Sequence, residues 1–467
     1  MMSTPAEKQL RKSLSPRAVI LVPGDKDYPA AITLVNLIFD QQPAVVVRCA
    51  TDGDVAATIR FARELGVQLS VRSGGASPGG YSSNNGGVML HLGLLDSIEI
   101  DQLAMTATVG TGVILQELYE RLGPTGMMFP VGECLNVGIG GITLGGGISI
   151  MGRSLGLTLD NLLSATVVTA DGTVLSASET EHPDLFWGLR GAGAGNFGVV
   201  TSMTFRLHPI PASVAFAQTM WPLDSAVDVL TEALQFYESE APDAVDSLFS
   251  FFQLPGTTPT LVMGMLGVYN GPSNEGTAIL QRLTNLRTPL KESRSGVMPF
   301  YELIDGIPDG PPGPPQMHDY YRCGFVTGAF PREGAELLVE RFRHAPQGTA
   351  DNLMNMVMFE LPSGVINKVA PEATAFVHRD ASSLLSVCAT WYDPEKTGSR
   401  PEKEWADALH ADLSKYMNGG VYQNYVNRDL EDWGKAYYGK NLPRLRLVKR
   451  AYDPDNVFRY PQGIAAA

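Results

Sequence analysis

One cysteine and two tyrosines stand where their side chains could do chemistry. Cys134 lies in Pro130-Val-Gly-Glu-Cys-Leu-Asn-Val-Gly138, directly before the longest glycine cluster in the chain. A lone cysteine is most often a small buried hydrophobe, but one flanked by glycine and beside a bare backbone cradle is better placed to react. Tyr422 and Tyr425, three residues apart near the C-terminus, read either as core aromatics with bonded hydroxyls or as proton-transfer groups. A phenol has an unperturbed pKa of about 10, so either would need a cationic or hydrogen-bonding neighbour to act as a base near neutrality.

Three glycine clusters surround these candidates: Gly74-Gly75 with Gly79-Gly80, Gly138-Ile-Gly-Gly-Ile-Thr-Leu-Gly-Gly-Gly147, and Gly191-Ala-Gly-Ala-Gly-Asn-Phe-Gly198. Glycine permits positive φ and lets a ligand approach successive N–H groups, which together form an anion-binding concavity. Any one cluster can be a mere tight turn. Three between residues 74 and 198, the first beside Arg72 in Val71-Arg-Ser-Gly-Gly-Ala-Ser-Pro-Gly-Gly80, point to a diphosphate.

Two familiar patterns fail in context. Gly193-Ala-Gly-Asn-Phe-Gly198 fits GxGxxG, but the strand-like Val199-Val-Thr-Ser-Met-Thr-Phe205 follows it where a dinucleotide fingerprint needs a helix. Gly152-Arg-Ser-Leu-Gly156 fits GxSxG, yet residues 157–168 give no clean helix start for a nucleophile elbow. A serine hydrolase on Ser154 stays as a rival class, and a redox-silent metabolite binder as another.

The elements that must hold these loops are legible. Ala44-Val-Val-Val47 reads as a buried strand. A helix from Asp54 to Leu65 follows, capped by Thr51 or Asp52 and stopped at Gly66, and then Val67, Leu69 and Val71 alternate as a second strand. This β-α-β unit delivers the chain into the first glycine loop. Residues 101–113 are strand-like, 114–122 helical, and 165–176 two strands about Asp171-Gly172. Beyond about residue 210 long helical stretches (224–240) alternate with strands (260–268), and the proline-rich run 308–315 reads as an extended surface loop. The last fifty or so residues change texture again. This predicts a domain of 1–210 and 416–467 with a second, 211–415, inserted.

With 467 residues and 44% hydrophobic content the chain can bury a large core. A net charge of −14 argues against nucleic-acid or anionic-membrane partners and for a small-molecule substrate. Four scattered cysteines, seven scattered histidines, no secretory leader and no span of membrane length predict a cytoplasmic protein without disulfides or metal.

Taken together the motifs resemble the FAD-linked oxidases of the vanillyl-alcohol oxidase type, in their berberine-bridge-enzyme-like branch. The resemblance rests on Arg72-Ser-Gly-Gly75, Gly132-Glu-Cys134, Val137-Gly-Ile-Gly-Gly141, Gly156-Leu-Thr-Leu-Asp-Asn161, Phe186-Trp-Gly-Leu-Arg-Gly191, Asn196-Phe-Gly-Val-Val-Thr201, Thr374-Ala-Phe-Val-His-Arg379 and Tyr422-Gln-Asn-Tyr425. It implies an α+β fold: a two-subdomain, PCMH-type FAD-binding domain with an inserted substrate domain of antiparallel sheet and helices. FAD would be held by Arg72, Ser73, Gly74, Gly75, Ala76 and Ser77; by Gly132, Cys134, Val137, Gly138, Gly140 and Gly141; by Asp160 and Asn161; and by Gly195, Gly198, Val200 and Asn424.

In such relatives a histidine after the double glycine and a cysteine matching Cys134 both bond the flavin. Here the histidine position is Ala76, so the resemblance implies one tether, 6-S-cysteinyl through Cys134. Val137 matches a position that gates oxygen in plant members, where valine permits access, which implies an oxidase rather than a dehydrogenase. Tyr425 or Tyr422 would take the substrate's proton. Plant alcohol-oxidising members carry a tyrosine where this chain has Ile148. The strand after Arg379 turns Leu384, Ser386 and Cys388 to one face, with no carboxylate among them. An apolar secondary metabolite, an alcohol or activated C–H compound, is therefore expected as substrate, with O2 as second substrate. An oxidative cyclase of the same fold is the alternative.

Overall fold

Val45, Val46 and Val47 are a run of β-branched side chains that only burial on both faces can satisfy, and they form the central strand Val45–Arg48. In this computed structural model, which describes residues 4–254, 260–306, 318–346, 355–391 and 399–466, it belongs to a four-stranded sheet. The order is Val19–Leu21, Val45–Arg48, Val88–His91, Leu69–Arg72, and the last three strands run parallel. The crossover helix Asp52–Leu65 starts two residues earlier than the periodicity predicts, because Thr51 and Asp54 close a capping box, each accepting the other's N–H (3.1 and 3.0 Å). It ends at Gly66 with φ 65°. Its Val55, Ile59 and Ala62 pack on Val45, Val47 and Leu90.

A second sheet is antiparallel: Ile98–Asp101, Thr106–Gly110, Val199–Arg206, Leu162–Val168, Val174–Ser178. The single strand expected over 101–113 is instead the second arm of a hairpin, since Asp101 Oδ1 accepts from Leu103 and Ala104 N–H and turns the chain. The Asp171-Gly172 hairpin is present, Leu162–Val168 pairing with Val174–Ser178.

A third sheet has seven antiparallel strands, ordered Arg294–Met298, Val214–Pro222, Thr260–Tyr269, Val245–Leu254, Met356–Glu360, Ser383–Trp391, His318–Val326. Helices Ala226–Ser239, Arg332–Arg343 and Ser399–Leu413 cover its outer face, burying Phe249, Phe251, Leu385 and Val387. Its inner face, with Cys323, Phe325 and Leu384, joins the core containing Ile148 and Tyr422. The sheet therefore roofs the glycine-rich half of the molecule. The proline-rich run 308–315 lies outside the described residues. No helix among the described residues is long and apolar enough to cross a membrane.

Candidate active site

The three glycine clusters converge on one cavity of about 540 Å³. Gly74 meets the second cluster backbone to backbone: a Cβ at Gly74 would lie 2.5 Å from Gly138 N. Ser73 Oγ anchors the first loop by donating to Thr111 O at 2.6 Å. Of the predicted FAD-holding residues, Ser73 to Ser77, Gly132, Cys134, Val137, Gly138, Gly140, Gly141, Gly195, Gly198, Val200 and Asn424 line the cavity. The proposed substrate-side Ile148 and both tyrosines line it too.

Three further expected cofactor contacts are not on the lining. Arg72 is not on the lining: its NH1 donates to Ala31 O (3.0 Å) and its guanidinium lies against Gly75. Asp160 is held in a two-pronged pair with Arg379 (2.8 and 2.7 Å). Asn161 bonds Leu155 O, Leu157 O and His208 Nε2. Those two residues fix the path of the chain below the site. Leu384, Ser386 and Cys388 do share one sheet face but do not line the cavity, since their strand is buried along its whole length between its two neighbours.

Those neighbours supply what the sequence reading missed. Glu360 ends the adjacent strand opposite Leu384, and Tyr321 stands opposite Cys388; both side chains line the cavity, as does Glu133. The Leu384, Ser386, Cys388 face carries no carboxylate itself, but the less polar pocket expected from it gains two from elsewhere: alternation within one strand says nothing of the residues its neighbours place on the same face.

At this end of the cavity Tyr425 Oη donates to Glu360 Oε1 at 3.1 Å. The other oxygen, Glu360 Oε2, is buried with no partner among the described residues. Burial, then the charge of Glu133, pushes the Glu360 carboxyl up to about 8, against the opposing bond from Tyr425. Tyr321 stacks on Tyr425 with centroids 5.3 Å apart, and Tyr422 meets Tyr425 edge to face at 5.2 Å.

Tyr422 is differently engaged. Its oxygen accepts from Gly147 N and from Asn424 Nδ2, both at 2.9 Å, while Asn424 Nδ2 also donates to Ile142 O. Burial raises the Tyr422 phenol in spite of those donors. The C-terminal run needs glycine beneath it: Gly146 and Gly147 take φ +152° and +83°, and a Cβ at Gly145 would lie 1.9 Å from Asn424 Oδ1. Part of the long glycine cluster thus admits these side chains instead of a ligand.

The remaining wall is set by a buried clamp. Lys449 Nζ donates to Asn196 O (2.9 Å), Phe458 O (2.6 Å) and Asp453 Oδ2 (2.6 Å), so it fixes the third glycine loop against residues 458–462.

Cys134 is exposed to the cavity and is not in a disulfide. Ser154 Oγ donates to Met151 O and accepts from Asn270 Nδ2, and residues 146–151 before it are not a strand, so no nucleophile elbow forms. Likewise Gly193–Gly198 runs directly into strand Val199–Arg206.

The cavity suits a large polar guest. Gln41 Oε1 and Ser83 Oγ are buried without partners among the described residues, and both residues line it. A Cβ at Gly141 would meet nothing within 4 Å, so bare backbone faces open space there. Orphaned donors and acceptors, exposed amides and two lining arginines, Arg428 and Arg459, match what a flavin dinucleotide presents.

Comparison with known proteins agrees. The model of an FAD binding domain matches residues 43–178, and that of berberine and berberine-like proteins matches residues 421–465. The chain is 32% identical to an uncharacterised FAD-linked oxidoreductase, YgaK, of Bacillus subtilis, covering 95% of this chain and 96% of that one. It is 29% identical to (R)-6-hydroxynicotine oxidase of Paenarthrobacter nicotinovorans, with 98% of both chains covered. Among solved structures, Physcomitrella patens BBE-like 1 superposes with a TM-score of 0.87 at 27% identity over 99% of each chain. The α+β fold is that of the PCMH-type flavoenzymes, and the chain belongs to the FAD-linked oxidoreductases of the berberine-bridge-enzyme-like family.

Proposed function

We propose that the protein is an oxidase in which the Tyr425–Glu360 pair receives the proton of a small substrate as its C–H bond is oxidised. The observation that carries this is the 3.1 Å bond from Tyr425 Oη to Glu360 Oε1 inside the cavity. FAD bound in the cavity would supply a two-electron acceptor for the substrate's hydride, with O2 as the final oxidant and H2O2 as its product.

Tyr425 is set to take a proton from a substrate hydroxyl or amine while passing its own along the existing bond to Glu360 Oε1. Tyr422 is the positioning phenol: with its oxygen held by Gly147 and Asn424 it fixes the ring against which Tyr425 packs. Tyr321 and Ile148 form the apolar sides, and with two glutamates present the substrate pairs an apolar or aromatic body with one ionisable heteroatom beside the reacting carbon.

The glycine loops at 73–77, 138–141 and 195–198 would hold the dinucleotide, and the Cys134 thiol would tether it. Ala76 on the same lining offers no second bond. The reading divides the chain into an FAD-binding domain of 1–210 and 416–467 and a substrate domain of 211–415. Peroxide release across a panel of alcohols and amines tests it, together with Tyr425→Phe. A panel that yields flavin reduction without dependence on Tyr425 would overturn it.

A further inference from the structure

Arg48, His91 and Arg72 form one row across the parallel sheet. They are the last residues of three neighbouring strands, and the register pairs Arg48 with His91 and His91 with Arg72. Side chains in such a row emerge on one face, about 4.8 Å apart from strand to strand. Here that face is the one carrying Val46 and Met89, away from the crossover helix. Carboxyl ends of parallel strands are where open α/β sheets bind ligands.

All three groups present donors, and no carboxylate among the described residues pairs with any of them. Arg48 makes no hydrogen bond or ion pair there, and its Nε is buried without a partner. Arg72 has one bond, NH1 to Ala31 O at 3.0 Å, and its Nε is likewise buried and unpartnered. His91 Nδ1 accepts the Gly93 N–H at 3.0 Å, which puts the ring proton on Nε2. Burial, then Arg72 and Arg48, pushes the imidazole down to about 3, so it is a neutral N–H donor between two cations. In a chain of net charge −14, two unneutralised arginines flanking one imidazole are a local exception.

We propose that this row is an oxyanion site, separate from the dinucleotide cavity, that takes a phosphate group, either free phosphate or the terminal phosphate of a small ester. Two guanidiniums carried on the strands either side of a central imidazole N–H are the donor set that a tetrahedral anion takes. None of the three residues lines the cavity. The site nevertheless touches the loop that does: Arg72 leads directly into Ser73, and its guanidinium lies against Gly75, where a Cβ would be 2.8 Å from Cζ. An anion here braces the first glycine loop from behind.

The test is thermal unfolding of the flavin-loaded protein at constant ionic strength, with chloride replaced by inorganic phosphate or, in a second arm, by glycerol 3-phosphate. Phosphate should raise Tm progressively with the logarithm of its concentration, by roughly 2 °C or more well above its Kd. Arg48→Met, which keeps the aliphatic stem, should abolish the rise, and Arg48→Lys should retain it at a half-effect concentration at least threefold higher. A response to both anions assigns recognition to the phosphate alone, and a response to the ester only assigns it to the ester. If neither anion exceeds chloride, or the lysine and methionine variants respond as the parent does, the site is refuted. Neither result depends on turnover.

Discussion

Tyr425 Oη donates to Glu360 Oε1 across 3.1 Å, and that bond joins the C-terminal run to the roof of the cavity. Loss of either partner should therefore remove proton transfer without emptying the site. Tyr425→Phe and Glu360→Gln should each lower kcat by about 10²–10⁴, with the flavin absorbance of the purified proteins unchanged. Tyr422→Phe should cost less in kcat, because that oxygen accepts from Gly147 and Asn424 and holds a ring in place.

Glu360 also makes stability depend on pH. Its carboxyl is raised to about 8, whereas a glutamate in the unfolded chain titrates at about 4.3. Between those values the folded protein keeps a proton that the unfolded chain has lost, so stability falls as pH rises through the window and levels off above it. Thermal melts should show Tm of Glu360→Gln gaining on that of the parent from pH 5 to 8. Parallel curves would contradict the assignment.

The Cys134 tether predicts that yellow colour stays with acid-precipitated protein, and that Cys134→Ala releases it to the supernatant. Ala76 lies on the same lining. Ala76→His, by adding an electron-withdrawing second bond, should raise the flavin midpoint potential and speed its reduction. Equal potentials in the two forms would contradict this.

Arg379 and Asp160 are buried together, with side-chain exposures of 1% and 13%. Arg379→Met should destabilise the fold by about 3–5 kcal/mol, because the carboxylate is left buried without its cation. Denaturant unfolding measures this directly, and a loss near zero would mean that Asp160 finds other partners.

Much of this site is legible in the sequence. The glycine clusters, Cys134, Ile148, Tyr422 and Tyr425 all come to one cavity, because glycine spacing and a cysteine beside it report local backbone requirements that sequence carries directly. Glu360 was not legible. It precedes Leu384 by a long connection containing the 3-10 turn Gly364–Lys368, and only the register of Met356–Glu360 with Ser383–Trp391 sets it on the face of the sheet that meets the tyrosine. Arg72 lies in a motif that lines the cavity while Asp160 and Asn161 lie in one that does not reach it, and tertiary partners such as Ala31, Arg379 and His208 take up their side chains.

The central claim, that Glu360 is the final acceptor behind Tyr425, is tested most directly by anaerobic stopped-flow reduction of the flavin over pH 6–10, using the best substrate of the panel. A carboxyl accepts a proton only when ionised, so the parent's reduction rate should rise through an apparent pKa near 8. Glu360→Gln should be slow and flat across the same range. Identical pH profiles for the two proteins would contradict the account.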